Sequence, residues 1–87
     1  MKSATLPSFW LAYQKLDSTI RNQAKKAYRL WISNPSHTSL RFKCINAKED
    51  IWSVRITRGY RAVGIFEGDT VTWFWIGHHD DYKRFFF

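Results

Sequence analysis

Residues 51–82, IWSVRITRGYRAVGIFEGDTVTWFWIGHHDDY, decide how this chain folds. Trp52, Val54 and Ile56 alternate with Ser53, Arg55 and Thr57, the period of a strand with one buried face. Arg58-Gly59 makes a tight turn into a second strand, Tyr60 to Phe66. Glu67-Gly68-Asp69 makes another, and Thr70 to Ile76 forms a third strand around Trp73, Phe74 and Trp75. Loops this short join antiparallel neighbours, so the stretch predicts a meander. Upstream, Leu40, Phe42 and Cys44 alternate with Arg41, Lys43 and Ile45, which predicts a further half-buried strand before the polar loop Asn46–Asp50.

The first third of the chain has helical spacing. Pro7-Ser8 starts a helix carrying Phe9, Trp10, Tyr13 and Leu16, and Asp17-Ser18 offers an N-cap for a second helix. In Thr19–Ile32, Ile20, Ala24, Ala27 and Trp31 form one apolar stripe, with Arg21, Lys25, Lys26 and Arg29 on the other face. Asn34-Pro35 ends it, because the residue before proline avoids the α region. Met1–Leu6 reads as either a disordered lead or a weak edge strand. Together these elements predict a single α+β domain over residues 1–87. An N-terminal antiparallel helical hairpin packs on an antiparallel sheet of three to four strands.

Composition bounds the partners. Hydrophobic residues make up 45% of the 87 and aromatics 18%, enough for a dense core with aromatic side chains left over for a binding surface. Fourteen Lys and Arg against seven Asp and Glu give a net charge of +7, which favours a polyanion or an acidic protein. The single cysteine, Cys44, excludes an internal disulfide and fits a reducing cytoplasm, where it packs as a small hydrophobe. With no apolar run of about 20 residues and no signal-peptide layout, a soluble cytoplasmic protein is expected, with no membrane partner.

The chemistry concentrates in the same C-terminal half. If the Arg58-Gly59 turn joins neighbouring strands, Arg55 and Arg61 lie close across it. Two guanidinium groups that close repel unless an anion sits between them, and a phosphate supplies bidentate geometry. Pairing with Glu49, Asp50, Glu67 or Asp69 is the plain alternative, and spacing favours neither. His78 and His79 follow the most apolar strand. Neighbours on a strand point to opposite faces, so one imidazole of the pair joins the arginines, ready to exchange a proton near neutral pH. Otherwise the pair marks a polar strand exit, with Asp80 or Asp81 capping a final helical turn. Zinc fits less well, since His78, His79, Asp80 and Asp81 lack ligand spacing; no metal or cofactor is expected. Tyr82 is placed to stack on a base or donate a proton, or else docks onto the sheet together with Phe85–Phe87. Lys43, Arg58, Lys83 and Arg84 are candidate contacts for RNA phosphates. Three terminal phenylalanines are not all expected to be buried.

On these residues the chain resembles the RelE/ParE superfamily of bacterial type II toxins. The resemblance runs from Phe9-Trp10 through Ala27–Trp31, Asn34-Pro35, Leu40–Lys43 and Trp52–Ile56. It continues through Tyr60–Val63 to Trp73–Tyr82, ending in Gly77-His78-His79. It implies a toxin held in check by a cognate antitoxin and, by its RNA-cleaving members, a metal-independent mRNA endoribonuclease acting on the ribosome. Arg61 would then stabilise the scissile phosphate and Arg55 would position the RNA. His79 or His78 would serve as acid or base, with Tyr82 and Lys43 in support. The superfamily's ParE-like members imply an alternative, a DNA gyrase inhibitor without nuclease activity; an inactive basic binding module is a third. A largely extended or helical antitoxin segment would wrap the helical hairpin and the exposed sheet face, with Leu11, Trp31 and the exposed aromatics as anchors. Two departures stand out: Lys43 is the one well-placed lysine, and the superfamily's N-terminal strand is short or missing.

Overall fold

The computed structural model describes all residues, Met1–Phe87. Its elements are β1 (Lys2–Thr5), α1 (Pro7–Gln14), α2 (Ser18–Ser33), a 3-10 turn at Thr38–Leu40, β2 (Lys43–Asn46), β3 (Ile51–Thr57), β4 (Tyr60–Glu67), β5 (Thr70–His78) and α3 (His79–Phe86). The strands form one sheet in the order β1-β5-β4-β3-β2. The sheet is therefore five-stranded and mixed, not three to four antiparallel strands, because Lys2–Thr5 pairs in parallel with Thr70–Trp73. The β3-β4-β5 meander is antiparallel throughout.

Local chemistry sets the helix ends. Proline occupies the start of α1, where its missing N–H costs nothing. Asp17 caps α2, its carboxylate accepting from Ile20 N–H at 2.9 Å. On the hairpin side of the sheet, Ala24, Ala27 and Trp31 of α2 meet Val54, Ala62, Val71, Trp73 and Ile76 in one buried cluster. Trp31 and Trp73 cross edge-to-face at 5.3 Å, and Phe42 meets the edge of Trp31 at 5.7 Å. Trp31 is only 1% exposed, so it is a core residue and not an anchor for a partner.

The predicted strand over Leu40–Ile45 is displaced. Leu40 ends the 3-10 turn, buried in the core, and Arg41 adopts a left-handed conformation (φ 45°) before β2 begins at Lys43. Cys44 lies on this edge strand and is exposed, contrary to the expected packing.

Two register shifts fix which side chains share a face. In β3, Thr57 pairs with Tyr60, but Arg55 pairs with Arg61, so Ile56 is the extra residue. Without it Arg55 would face Ala62, and Arg61 would sit across from Ile56 on the buried side. In β5, Val63 pairs with Trp75 and Gly64 with Trp73, leaving Phe74 extra. Such bulges re-aim side chains across a sheet. As a result Trp73 and Ile76 both face the hairpin, while Phe74 and Trp75 reach Phe86 of α3 on the far side, at 6.1 and 5.4 Å. No helix is long and apolar enough to cross a membrane.

Candidate functional site: a basic shelf under α3

The sheet face away from the helical hairpin forms an open shelf, roofed at one end by α3. Arg55 and Arg61 occupy directly opposed positions on β3 and β4. Lys43 is opposite Ser53, two residues from Arg55, and so projects from the same face. Arg61 Nη1 donates towards three carbonyls of the β3–β4 turn: Thr57 at 2.7 Å, Tyr60 at 3.0 Å and Arg58 at 3.2 Å. These carbonyl dipoles hold the guanidinium beside Arg55 despite their repulsion. Its Nε and Nη2 make no bond within the protein and remain for an anion. Burial, then the charge of Arg55, lowers the Arg61 pKa from its ordinary value; Tyr82 opposes and Arg41 reinforces that shift. The guanidinium stays charged at neutral pH.

Beneath it, Tyr82 is 4% exposed, with its ring 6.0 Å from the Arg61 guanidinium carbon. Its hydroxyl bonds to Ser53 Oγ at 3.0 Å, and Ser53 is itself 1% exposed. Tyr82 thus supports the arginine from below, turned away from a base in solution. Gly77 lies opposite Arg61 on β5, where a Cβ would stand 2.5 Å from Cζ2 of Trp75. Only glycine lets the Trp75 indole lie flat over this position, flooring the shelf beside Arg61.

The two histidines separate. His78 pairs across the strands with Tyr60, the neighbour of Arg61, and so faces the other way. Its ring stands edge-on to Tyr60 at 5.3 Å, and Nδ1 accepts from Asp80 N–H at 3.1 Å. His78, and not Asp80 or Asp81, is the N-cap of α3. His79 turns to the shelf: its N–H donates to Gly59 O at 2.7 Å, and its ring lies 5.8 Å from that of Tyr82. Partial burial, then the positive charges of Arg61 and Lys83, lowers the His79 pKa below 6.5 against the opposing pull of Asp80. The imidazole is therefore neutral at physiological pH, a proton acceptor among fixed cations.

Other sequence candidates are spread more widely. Lys83 is exposed but close enough to act on His79. Arg58 is exposed in the turn beside the shelf. Arg84 leans away, 3.4 Å from Asp81 and over Phe85. None of Glu49, Asp50 or Glu67 pairs with an arginine, and Asp69 pairs with Lys2. The shelf cations thus lack internal counter-charges, which removes the plain alternative for Arg55 and Arg61. Sequence patterning missed two members. Arg41 acts on Arg61 because its left-handed backbone carries it out of the strand alternation, and a non-glycine residue gives no warning of that. Ser53 looked like a solvent-facing polar residue until α3 covered it.

The shelf can bind a phosphodiester and offer a neutral base beside it. A family model described as "ParE-like toxin domain" matches residues 18–84. The fold is also similar to that of a YoeB/ParE toxin from Agrobacterium tumefaciens. Identity is 21% over 91% of this chain and 99% of that one, with a TM-score of 0.69. A RelB–RelE antitoxin–toxin complex from Methanococcus jannaschii gives 19% identity, 94% and 98% coverage and a TM-score of 0.73. The RelBE complex of E. coli gives 20% identity, 87% and 93% coverage and a TM-score of 0.63. A search of curated protein sequences found no match.

Proposed function

The chain belongs to the ParE-like toxin domain family, and from that premise we propose that it is the toxin of a toxin–antitoxin pair and arrests translation by cutting mRNA. The observation that carries the nuclease assignment is the meeting of Arg61, Arg55 and a neutral His79 on one open face. A basic surface alone would serve a gyrase inhibitor; an imidazole held neutral beside an arginine with two unbonded nitrogens serves general-base attack on a phosphodiester.

In the proposed reaction the RNA backbone lies across the shelf with its phosphate on Nε and Nη2 of Arg61. Arg55 and Lys43 hold the flanking charge. His79 takes the proton of the ribose 2′-hydroxyl as that oxygen attacks the adjacent phosphorus. Charge building on the phosphoryl oxygens falls to Arg61, whose bonds to the turn fix it before the reaction begins. The bond to the 5′-oxygen breaks, and that oxygen takes a proton from water, since His78 faces away. The products are a 2′,3′-cyclic phosphate and a 5′-hydroxyl. Tyr82 and Ser53 act as positioning residues beneath Arg61.

The antitoxin is proposed to dock on the hairpin layer, leaving Trp31 in the core. A groove of about 590 Å³ between β1, α1 and α2 offers Trp10, Tyr13 and Tyr28 as apolar contacts. Leu11 is exposed nearby on α1.

A cell-free translation reaction with a reporter mRNA tests the nuclease assignment. The protein is expected to produce discrete cuts ending in a cyclic phosphate. Arg61→Ala and His79→Ala should each slow cutting about 100-fold or more, and a 2′-deoxy nucleotide at the cut site should abolish it there. Inhibited translation with intact mRNA would reject the assignment.

A further inference from the structure

The helix α2 carries Arg21, Lys25, Lys26 and Arg29 and not one acidic residue between Ser18 and Ser33. None of these four takes part in an ion pair. Arg21, Lys25 and Arg29 stand four residues apart, where like charges on a helix repel. The helix tolerates them with no internal compensation, so the surface suits an external polyanion.

The composition of that surface says which kind. It is lined by Thr19, Asn22, Gln23, Lys25, Lys26 and Arg29, with no apolar side chain among them. Protein partners derive most of their affinity from buried aromatic and apolar anchors, and this patch has none of its own. Although Lys25 and Arg29 also border the aromatic groove of β1, α1 and α2, Lys26 does not and faces the cleft towards Arg55. A phosphate backbone needs only cations and N–H or O–H donors, which all six residues provide.

A second observation connects this surface to the shelf. A cleft of about 520 Å³ has Gln23 and Lys26 of α2, Ser39, and Arg55 and Thr57 of β3 at its polar rim, over an apolar floor of Ala27, Leu30, Leu40 and Ile56. It opens where the sheet has a free edge: β2 pairs only with Ile51–Ser53, so Arg55 to Thr57 have no outer strand beside them. Gln23 and Lys26 also line the helix surface, and Arg55 belongs to the shelf. The three regions thus form one basic track.

We infer that the RNA strand continues from the scissile phosphate through this cleft and onto α2, where Lys25, Lys26 and Arg29 hold phosphates several nucleotides from the cut. The identity of the strand rests on the ribonuclease assignment above. Lys25 to Arg29 spans about 6 Å along the helix axis, on the scale of the step between neighbouring phosphates. The track lengthens the bound segment and leaves the chemistry to Arg61 and His79.

The test is fluorescence anisotropy with 2′-O-methyl RNA of about four and about twelve nucleotides, over a range of salt concentrations. The proteins are the wild type and a Lys25→Gln/Lys26→Gln/Arg29→Gln variant. Glutamine matches lysine and arginine in helix propensity, and circular dichroism checks that α2 is retained. For the long oligonucleotide the variant should lose about 2 from the slope of log K against log salt, at roughly 0.7 per phosphate over three contacts. It should bind at least about 10-fold more weakly at low salt. For the short oligonucleotide the two proteins should agree. An unchanged slope with the long RNA overturns the track, as does an equal loss with both lengths. A variant that loses an acidic protein partner while binding long RNA normally overturns it too. These oligonucleotides lack the 2′-hydroxyl nucleophile, so the outcome is independent of cleavage. A wild type that shows the long-RNA slope yet cuts no mRNA would sink the nuclease and keep the track. Cutting without the slope difference would do the reverse.

Discussion

Tyr82 is the residue whose role the structure changes most, and a double-mutant cycle with Ser53 measures it. The two hydroxyls lie 3.0 Å apart at 4% and 1% exposure, so neither has water to fall back on. Tyr82→Phe leaves the Ser53 hydroxyl unsatisfied and should cost about 1–3 kcal/mol. Ser53→Ala leaves the phenol in the same position and should cost a similar amount. Removing both leaves no orphan, so the double variant should be more stable than the sum by about 1 kcal/mol or more. Each kcal/mol corresponds to roughly 4–8 °C in Tm for a domain this size, which tryptophan fluorescence during thermal or urea unfolding resolves easily. Cleavage by Tyr82→Phe should stay within about 3-fold of wild type, since Arg61 is held chiefly by its three carbonyls. Strict additivity would refute the buried bond. A 100-fold loss of cleavage with little change in stability would refute the supporting role and make Tyr82 a proton donor.

Three further outcomes follow from the shelf. Because the His79 pKa is lowered, its neutral form persists below pH 6.5; the acid limb of kcat/KM should have its midpoint below 6.5, and Arg61→Met, followed by NMR of the imidazole, should raise the His79 pKa. The same shift means the unfolded chain binds this proton first, so stability is full above about pH 6.5 and falls as pH drops from there towards the folded pKa; a His79→Gln variant should lose that part of the pH dependence in urea titrations. Gly77→Ala drives a methyl into Trp75 and should cost about 1–3 kcal/mol with a changed tryptophan emission; an unchanged Tm would contradict the close approach. Arg61→Lys keeps the charge but loses the fork that bonds the turn and the phosphate together, and should cut about 10- to 100-fold more slowly in the reporter-mRNA assay, whereas full activity would show that a point charge suffices.

How much of this was legible depended on how local each determinant is. The β3–β4 and β4–β5 turns, the Asp17 cap and the stripe of Ala24, Ala27 and Trp31 all lie within a few residues of what they control. Sequence periodicity therefore found them. The partner of β1 lies 68 residues away in sequence, and four small or polar residues, Lys2 to Thr5, carry no pattern that names a parallel neighbour. Arg41 breaks the strand alternation through a backbone dihedral that its side chain does not advertise. Arg55 and Arg61 were brought together for an incomplete reason. A two-residue turn alone would set Arg55 against Ala62, and the extra Ile56 corrects the register. The divergence of His78 and His79 was readable from strand alternation. The imidazole cap on α3 was not, since carboxylates were the expected capping groups.

The most direct test is induced expression in a bacterial host with transcript ends mapped, comparing wild type, Arg61→Ala and His79→Ala. Growth arrest accompanied by discrete mRNA cuts that vanish in both variants is the predicted result. Arrest with intact mRNA, or cuts that persist when both side chains are gone, would contradict it.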